Sequence, residues 1–285
     1  MEPPREPSSL ASMQVDLTNR LGELRPPFST GLARLDAMLQ GGLRSGTLFA
    51  LGGEPGSGRT ALALALAYMA ARARVAALVA GATLDPAEVL ARYAARALHR
   101  ERPLARLSYG DILAGAAWST ADDRAQVTHA LETVLRKVGP SLHVQRLAPG
   151  DSASALAAAA ERLWSRQERA AIVVDGIEAL AAGAGASHEA ALVRVSHELF
   201  ALADRGAAVV VTCGAGALPH VATAAHVVAE LRAVPSGGPL APPDDLAALG
   251  ARKVDLVVVA NSRGSGGVVP LRFVPGAALF EERAP

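Results

Sequence analysis

Eight consecutive residues carry the strongest chemical signal in this sequence. They follow the pattern G-x-x-x-x-G, then a basic residue, then a hydroxyl residue, and read Gly53-Glu54-Pro55-Gly56-Ser57-Gly58-Arg59-Thr60. Glycines let backbone N–H groups turn inward around phosphate oxygens, and the N-terminus of a helix that follows adds a positive dipole. The Thr60 hydroxyl then supplies a ligand for Mg²⁺. Residues 53–60 therefore predict a nucleotide site, and the alternative is a glycine-rich turn that binds none.

Arg59 occupies the position at which this pattern normally has lysine. Lysine places a compact ammonium group between the β- and γ-phosphates, whereas arginine carries a longer, planar and forked cation. The positive charge is kept, but its geometry changes. We therefore expect the loop to hold phosphate through contacts that differ from those of a lysine loop.

A second acidic position supports the loop. Asp175 ends the apolar run 171–174, as expected for a carboxylate at the end of a buried strand. In nucleotide-binding proteins such a carboxylate holds the water shell of Mg²⁺ opposite the loop hydroxyl. The simpler alternative is an ordinary acid at a strand end. Together with the loop, Thr60 and Asp175 predict the two protein ligands of a magnesium ion.

A sheet must hold these two segments side by side. Five apolar runs predict buried strands, at residues 47–51, 75–81, 142–146, 171–175 and 207–212. Five predicted helices separate or follow them, at residues 60–74, 86–99, 121–137, 152–168 and 188–204. Strands that alternate with helices indicate an α/β fold with a mainly parallel, twisted sheet flanked by helices.

The C-terminal part has a different pattern. Residues 226–234, 256–261 and 268–274 are predicted to form antiparallel strands, and a glycine-rich turn joins the last two. Residues 235–250 are rich in Pro and Gly and predict a long loop. The sheet is therefore expected to end in an antiparallel β-hairpin extension.

Composition limits the class of protein. The 285 residues include 28 Lys+Arg and 27 Asp+Glu, a balance that excludes a broadly basic, histone-like coat. Hydrophobic residues make up 51%, enough for one large domain over residues 27–285. Residues 1–26 predict a flexible tail or a partner-docking arm, with one helix at residues 10–24. The single cysteine, Cys213, excludes an internal disulfide and fits a cytoplasmic protein, and no run of apolar residues predicts a membrane span.

Two further segments resemble the opening of RecA-like ATPases when read together with the phosphate loop. Residues 28–36 read FSTGLARLD and residues 41–46 read GGLRSG. The T-G-x-x-x-L-D element is typical of DnaB-type replicative helicases and of RadA-like and KaiC-like proteins. Within that branch, residues 256–264 and 267–273 resemble the closing β-hairpin of the helicase ATPase domain. Over residues 28–282 the chain is therefore similar to the motor domain of DnaB-type helicases.

The resemblance implies a RecA-like fold and a ring, usually of six subunits, that binds ATP and Mg²⁺ between neighbours. It also implies that Arg263 on the hairpin acts as an arginine finger, stabilising charge on the γ-phosphate of the next subunit. The alternative for Arg263 is a solvated arginine in a hairpin turn. The implied partners are further copies of the chain or a related ATPase, and single-stranded DNA.

The chain departs from the family pattern at further positions besides Arg59. Asn261 stands where the family has a second lysine on the hairpin. The family places a catalytic glutamate just after its second strand, and here the first acid is Asp85. Asp85 either replaces that glutamate as a catalytic residue or caps the following helix, and Glu178 is a weaker candidate. Thr212 stands where the family has a polar sensor, usually glutamine.

The loops expected to face DNA carry no positive charge. Residues 170–193 and 206–231 contain no Lys or Arg, although phosphate neutralisation supplies much of the affinity for DNA. Two functions therefore stay open. One is an ATP-binding helicase-type ATPase that couples hydrolysis to handling of single-stranded DNA. The other is a catalytically inactive RecA-fold relative that acts in regulation or assembly, or a RadA- or KaiC-like regulator.

Overall fold

The computed structural model of the protein describes residues 9, 26–102, 106–148, 151–164, 169–182, 187–234 and 249–283. The predicted helix at 10–24 and most of the predicted loop at 235–250 lie outside these ranges. No helix in the described ranges is long and apolar enough to cross a membrane.

One sheet organises the molecule. Its strands in chain order, within the described residues, are β1 (Thr47–Gly53), β2 (Ala76–Gly81), β3 (Leu142–Arg146), β4 (Ala170–Asp175), β5 (Ala208–Thr212), β6 (Val227–Ala233), β7 (Arg252–Asn261), β8 (Gly267–Val274) and β9 (Leu279–Glu282). They lie side by side in the order β3-β2-β4-β5-β1-β6-β7-β8-β9. The strands from β3 to β6 in this order are parallel, and β7, β8 and β9 are antiparallel. The predicted α/β fold with an antiparallel extension is confirmed.

Helices cover both faces of this sheet. In the described residues they are α1 (Ala33–Met38), α2 (Arg59–Arg72), α3 (Pro86–Glu101), α4 (Tyr109–Leu113), α5 (Ala121–Val138), α6 (Ala153–Trp164), α7 (Glu178–Ala181), α8 (His188–Asp204) and α9 (Leu218–Ala222). The five long ones agree with the helices expected from the sequence. The four short ones were not predicted, because a helix of four to six residues shows too little periodicity to be recognised.

The core lies in two layers, one on each face of β1. Phe49 and Leu51 belong to the cluster that includes α2, whereas Leu48 and Ala50 belong to the cluster that includes α8. All seven residues of β1 are buried, as expected for a central strand covered on both faces. Helix α2 is buried nearly all round in its first half, which explains its continuous Ala and Leu sequence. The phosphate loop therefore connects two rigid, buried elements.

Strand β6 corrects one expectation. It was expected to be antiparallel like the strands that follow, but it pairs in parallel with β1 and antiparallel only with β7. The chain reaches β6 from β5 through the crossover helix α9, and such a crossover brings the next strand back in parallel. Strand direction cannot be read from an apolar run of this length. Strand β9, which pairs with β8, was also not predicted.

Candidate nucleotide-binding site

The phosphate loop connects the end of β1 to the start of α2. Gly56 and Gly58 have φ angles of +81° and +101°, which favour glycine. A Cβ atom on Gly58 would lie 2.8 Å from the rings of Phe273 and Phe280, so a larger residue does not fit there. No side chain caps α2, and its first N–H groups are therefore available to an anion. The Ser57 hydroxyl is buried and has no hydrogen-bond partner in the described ranges.

Asp175 and Thr60 meet beside this loop. The Thr60 hydroxyl donates a hydrogen bond to Asp175 Oδ2 at 2.8 Å. The Thr212 hydroxyl donates to Asp175 Oδ1 at 2.8 Å and accepts from the N–H of Gly176 at 2.8 Å. The ends of β4 and β5 and the start of α2 therefore converge on one carboxylate, and the two residues predicted to hold magnesium lie in contact.

The donor set suits magnesium. A hydroxyl and a carboxylate are the oxygen ligands that Mg²⁺ takes in nucleotide sites, where waters and phosphate oxygens complete its shell. Within the described ranges, no group of three or more His, Cys, Asp or Glu residues is placed to hold a metal ion. A site with one protein carboxylate fits magnesium bound together with a nucleotide better than a metal held by protein ligands alone.

Open space borders the loop on two sides. A cavity of about 300 Å³, which we call the acidic cavity, is lined by Arg59, Thr60, Ala82, Thr83, Asp175, Gly176, Glu178, Ala179, Thr212 and Gly214. A second cavity of about 330 Å³ shares Arg59 and Thr60 and extends towards Tyr109 and Phe273. In that second cavity the Arg252 guanidinium lies over the Phe273 ring, 5.1 Å from its centroid, and donates to the carbonyl of Gly56.

Arg59 projects from the start of α2 towards the end of β5. Its Nη1 atom lies 3.9 Å from the position that a Cβ atom on Gly214 would take. The Arg59 side chain makes no hydrogen bond or ion pair with the residues that the structure describes. The cation that replaces the expected lysine is therefore free to receive an anionic ligand in the acidic cavity.

The Asp85 carboxylate caps α3. Its Oδ1 atom accepts hydrogen bonds from the N–H groups of Ala87 at 2.7 Å and Glu88 at 3.3 Å. The capping alternative raised by the sequence is confirmed. Asp85 is not among the residues that line the acidic cavity, and its catalytic role stays a prediction.

Glu178 lies inside the acidic cavity instead. It is the first residue of α7, and its Oε1 atom accepts the N–H of Gly214 at 2.7 Å. The signal that could have found it was its spacing of three residues after Asp175. That spacing places Glu178 at the same edge of the sheet as the phosphate loop.

Arg263 lies at the other end of the sheet. Its two terminal nitrogens lie 3.3 Å from the Thr47 hydroxyl and 3.3 Å from His226 Nε2. Thr47 begins β1, whereas the phosphate loop follows its last residues, and the seven-residue strand spans roughly 20 Å. The structure therefore does not bring Arg263 to the loop of its own chain.

Asn261, which stands where the family has a lysine, is held in the hairpin turn. Its Nδ2 atom donates to the carbonyls of Met38 at 3.0 Å and Ser265 at 3.2 Å, and its Oδ1 atom accepts the N–H of Arg263 at 3.0 Å. All its polar atoms are thus used within the chain. Asn261 shapes the turn that presents Arg263 and does not extend towards a ligand.

Two titratable groups near these segments are structural. Burial, and next the charge of Glu178, raise the pKa of the Cys213 thiol to about 12, so the thiol stays protonated at neutral pH. Burial, and next the Arg263 cation, lower the pKa of His226 from its usual value. The His226 ring stacks on Phe200 and accepts the N–H of Leu48 at 3.0 Å, which anchors the start of β1.

Comparison with known proteins agrees with this arrangement. The model of the DnaB-like helicase C-terminal domain family matches residues 28–214, about two thirds of the chain. One similar solved structure is that of an isolated ATPase domain, with a TM-score of 0.77 and 14% identity over 96% of this chain and 99% of that chain. A second similar structure is that of a DnaB-like replicative helicase, described with its interactions with primase. Its TM-score is 0.75 and its identity 14%, over 96% of this chain and 67% of that chain.

No curated protein sequence matches the chain. The match to the family model covers the phosphate loop, Asp175 and Thr212, and the structural similarity extends over the closing hairpin. The chain belongs to the DnaB-like helicase C-terminal domain family.

Proposed function

We propose that this chain binds Mg-ATP at residues 53–60 and works as a helicase-type ATPase domain. The observation that carries the proposal is the 2.8 Å contact between the Thr60 hydroxyl and the Asp175 carboxylate beside the loop. Two features add support. The Arg59 cation has no partner within the described ranges, and the N-terminus of α2 has no side-chain cap. A triphosphate brings the negative charge that all three features favour.

In this proposal Thr60 and Asp175 hold the magnesium ion that accompanies ATP. When bound, the ion neutralises charge on the β- and γ-phosphates as the bond between them breaks. The helix N-terminus and Arg59 hold the phosphates themselves. The cavity that extends towards Tyr109 and Phe273 offers apolar and aromatic surface for the rest of the nucleotide.

The proposal includes an oligomer. Arg263 lies roughly 20 Å from the phosphate loop of its own chain, the length of β1, so it can serve only the nucleotide of a neighbour. A ring of identical chains supplies such a neighbour at every site, and a related ATPase subunit would supply one as well. We propose the homo-oligomeric ring, as the family resemblance implies.

Single-stranded DNA is the substrate that the family relationship suggests for the motor. One observation favours a second function, that of a catalytically inactive regulatory or assembly subunit. The segments that would line the channel, residues 170–193 and 206–231, carry no Lys or Arg, and DNA affinity depends on phosphate neutralisation. The inactive subunit would bind nucleotide but release no phosphate, and the assay described below for Glu178 separates the two functions.

Replacing Thr60 by valine tests the proposed site. The variant keeps the shape of the side chain but removes the hydroxyl that contacts Asp175. We expect its Kd for Mg-ATP to rise about 10- to 100-fold, and its Kd for ATP in the presence of EDTA to change little. Fluorescence titration with a labelled ATP analogue measures both.

Thr83→Val is the matched control, because Thr83 lines the same cavity but makes no hydrogen bond with the described residues. It should bind Mg-ATP like the wild type. Saturable binding that is absent from the wild type, or equally tight in Thr60→Val, would contradict the proposed function.

A further inference from the structure

The end of β2 offers no acid to the acidic cavity. Ala82 and Thr83 line the cavity there, and the next residue, Leu84, is 2% exposed. The following acid, Asp85, already accepts two backbone N–H groups at the start of α3. A carboxylate that acts on a ligand in this cavity must therefore come from another strand.

Glu178 is placed to provide it. Gly176, with a φ angle of +85°, turns the chain directly after Asp175, and this conformation favours glycine. The turn returns the chain so that Glu178 lines the same cavity as Asp175 and Thr60. Both carboxylates thus face one ligand volume, although they are three residues apart.

The two oxygens of Glu178 have different surroundings. Oε1 is fixed by the N–H of Gly214, at 2.7 Å, at the end of β5. Oε2 accepts no hydrogen bond from the residues that the structure describes, and it lies 3.8 Å from the position that a Cβ on Gly176 would take. One oxygen is anchored to the sheet while the other is left for a ligand, which is the arrangement that orients a general base.

We propose that Glu178, and not Asp85, is the catalytic residue that orients and deprotonates the water that attacks ATP. The inference rests on the proposed nucleotide site and extends it to hydrolysis. It assigns the missing glutamate of the family pattern to a different strand. Asp85 keeps a structural role at the N-terminus of α3.

The reaction balances with water as the second substrate. The water oxygen forms a bond to the γ-phosphorus while the bond from that phosphorus to the β–γ bridging oxygen breaks, and its electron pair leaves with ADP. Glu178 Oε2 takes one proton from the water. The carboxyl then returns this proton to the inorganic phosphate, so that Glu178 is regenerated as a carboxylate.

Two matched substitutions test the assignment. Glu178→Gln keeps an oxygen for the N–H of Gly214 but removes the base, and Asp85→Asn keeps an oxygen for capping but removes the charge. Phosphate release is measured with Mg-ATP, with and without a single-stranded oligonucleotide, and nucleotide affinity is measured by calorimetry with a non-hydrolysable analogue. We expect Glu178→Gln to lower kcat by about 10²- to 10⁴-fold with a Kd within about threefold of the wild type. Asp85→Asn should keep both values within about threefold.

Glu178→Asp adds a readout that a structural role would not move. It restores a carboxylate with a shorter reach, so part of the lost kcat should return, together with the acidic limb of the pH profile that Glu178→Gln lacks. The assignment is overturned if Glu178→Gln keeps wild-type turnover, if Asp85→Asn loses it, or if the wild type binds nucleotide without releasing phosphate. Absence of nucleotide binding in the wild type would instead refute the proposed function itself.

Discussion

Replacing Arg263 by alanine is expected to lower the rate of ATP turnover about a thousandfold, the usual range for loss of an arginine finger. The guanidinium lies at the start of β1, next to Thr47 and His226, while the phosphate loop follows the other end of the strand. It therefore contributes nothing to the site of its own chain. The affinity of the loop for Mg-ATP should stay within about threefold, because binding depends mainly on residues 53–60 and Asp175.

Mixing two inactive variants distinguishes action between chains from action within one chain. Arg263→Ala subunits keep an intact loop, and subunits changed at Asp175 keep an intact Arg263. Rings assembled from both contain some sites that combine the two intact halves, so part of the turnover should return. Arg44→Ala is a suitable control, because this exposed arginine donates to the carbonyl of Gln40 and has no part in the proposed site. Full activity in Arg263→Ala, or no recovery on mixing, would speak against a shared site.

Replacing Asp175 by asparagine is the second change with a large expected effect. The carboxylate receives the hydroxyls of Thr60 and Thr212, and the amide keeps its shape but loses the charge that attracts Mg²⁺. We expect the affinity for Mg-ATP to fall about 10- to 100-fold and turnover to fall below detection. Titration with and without EDTA measures the first effect, and phosphate release the second.

The Asp175→Asn variant should lose only the magnesium-dependent part of its affinity. Its thermal unfolding midpoint gives the control for folding, since the amide oxygen can still accept one of the two threonine hydroxyls. If Asp175→Asn bound Mg-ATP as tightly as the wild type, the metal would be held elsewhere. The role assigned to Thr60 would then be wrong as well.

The loop, Asp175 and the cap at Asp85 could be read from the sequence because their signals are local. Residues 53–60 contain the whole loop pattern, and an Asp directly before a Pro at a helix start is a common N-terminal cap. Asp175 follows a short apolar run that forms β4. In each case the residues that matter lie within a few positions of one another.

The contact between Glu178 and Gly214 could not be read in this way. The two residues are 36 positions apart and meet only because β4 and β5 are neighbours in the sheet. The order of parallel strands is set by tertiary packing, which leaves no trace in the local pattern. The parallel pairing of β6 with β1 was missed for the same reason. Asn261 was recognised as a departure from the family, but its hydrogen bond to Met38 depends on where α1 packs.

The central claim is that residues 53–60, with Arg59 in the lysine position, hold the phosphates of ATP. Calorimetric titration of Mg-ATP into the wild type, Arg59→Lys and Arg59→Ala tests it most directly. We predict saturable binding of one ATP per chain in the wild type and in Arg59→Lys, with affinity reduced about 10- to 100-fold in Arg59→Ala through loss of a charge-assisted contact to phosphate. No binding heat in the wild type, or equal affinity in Arg59→Ala, would contradict the account.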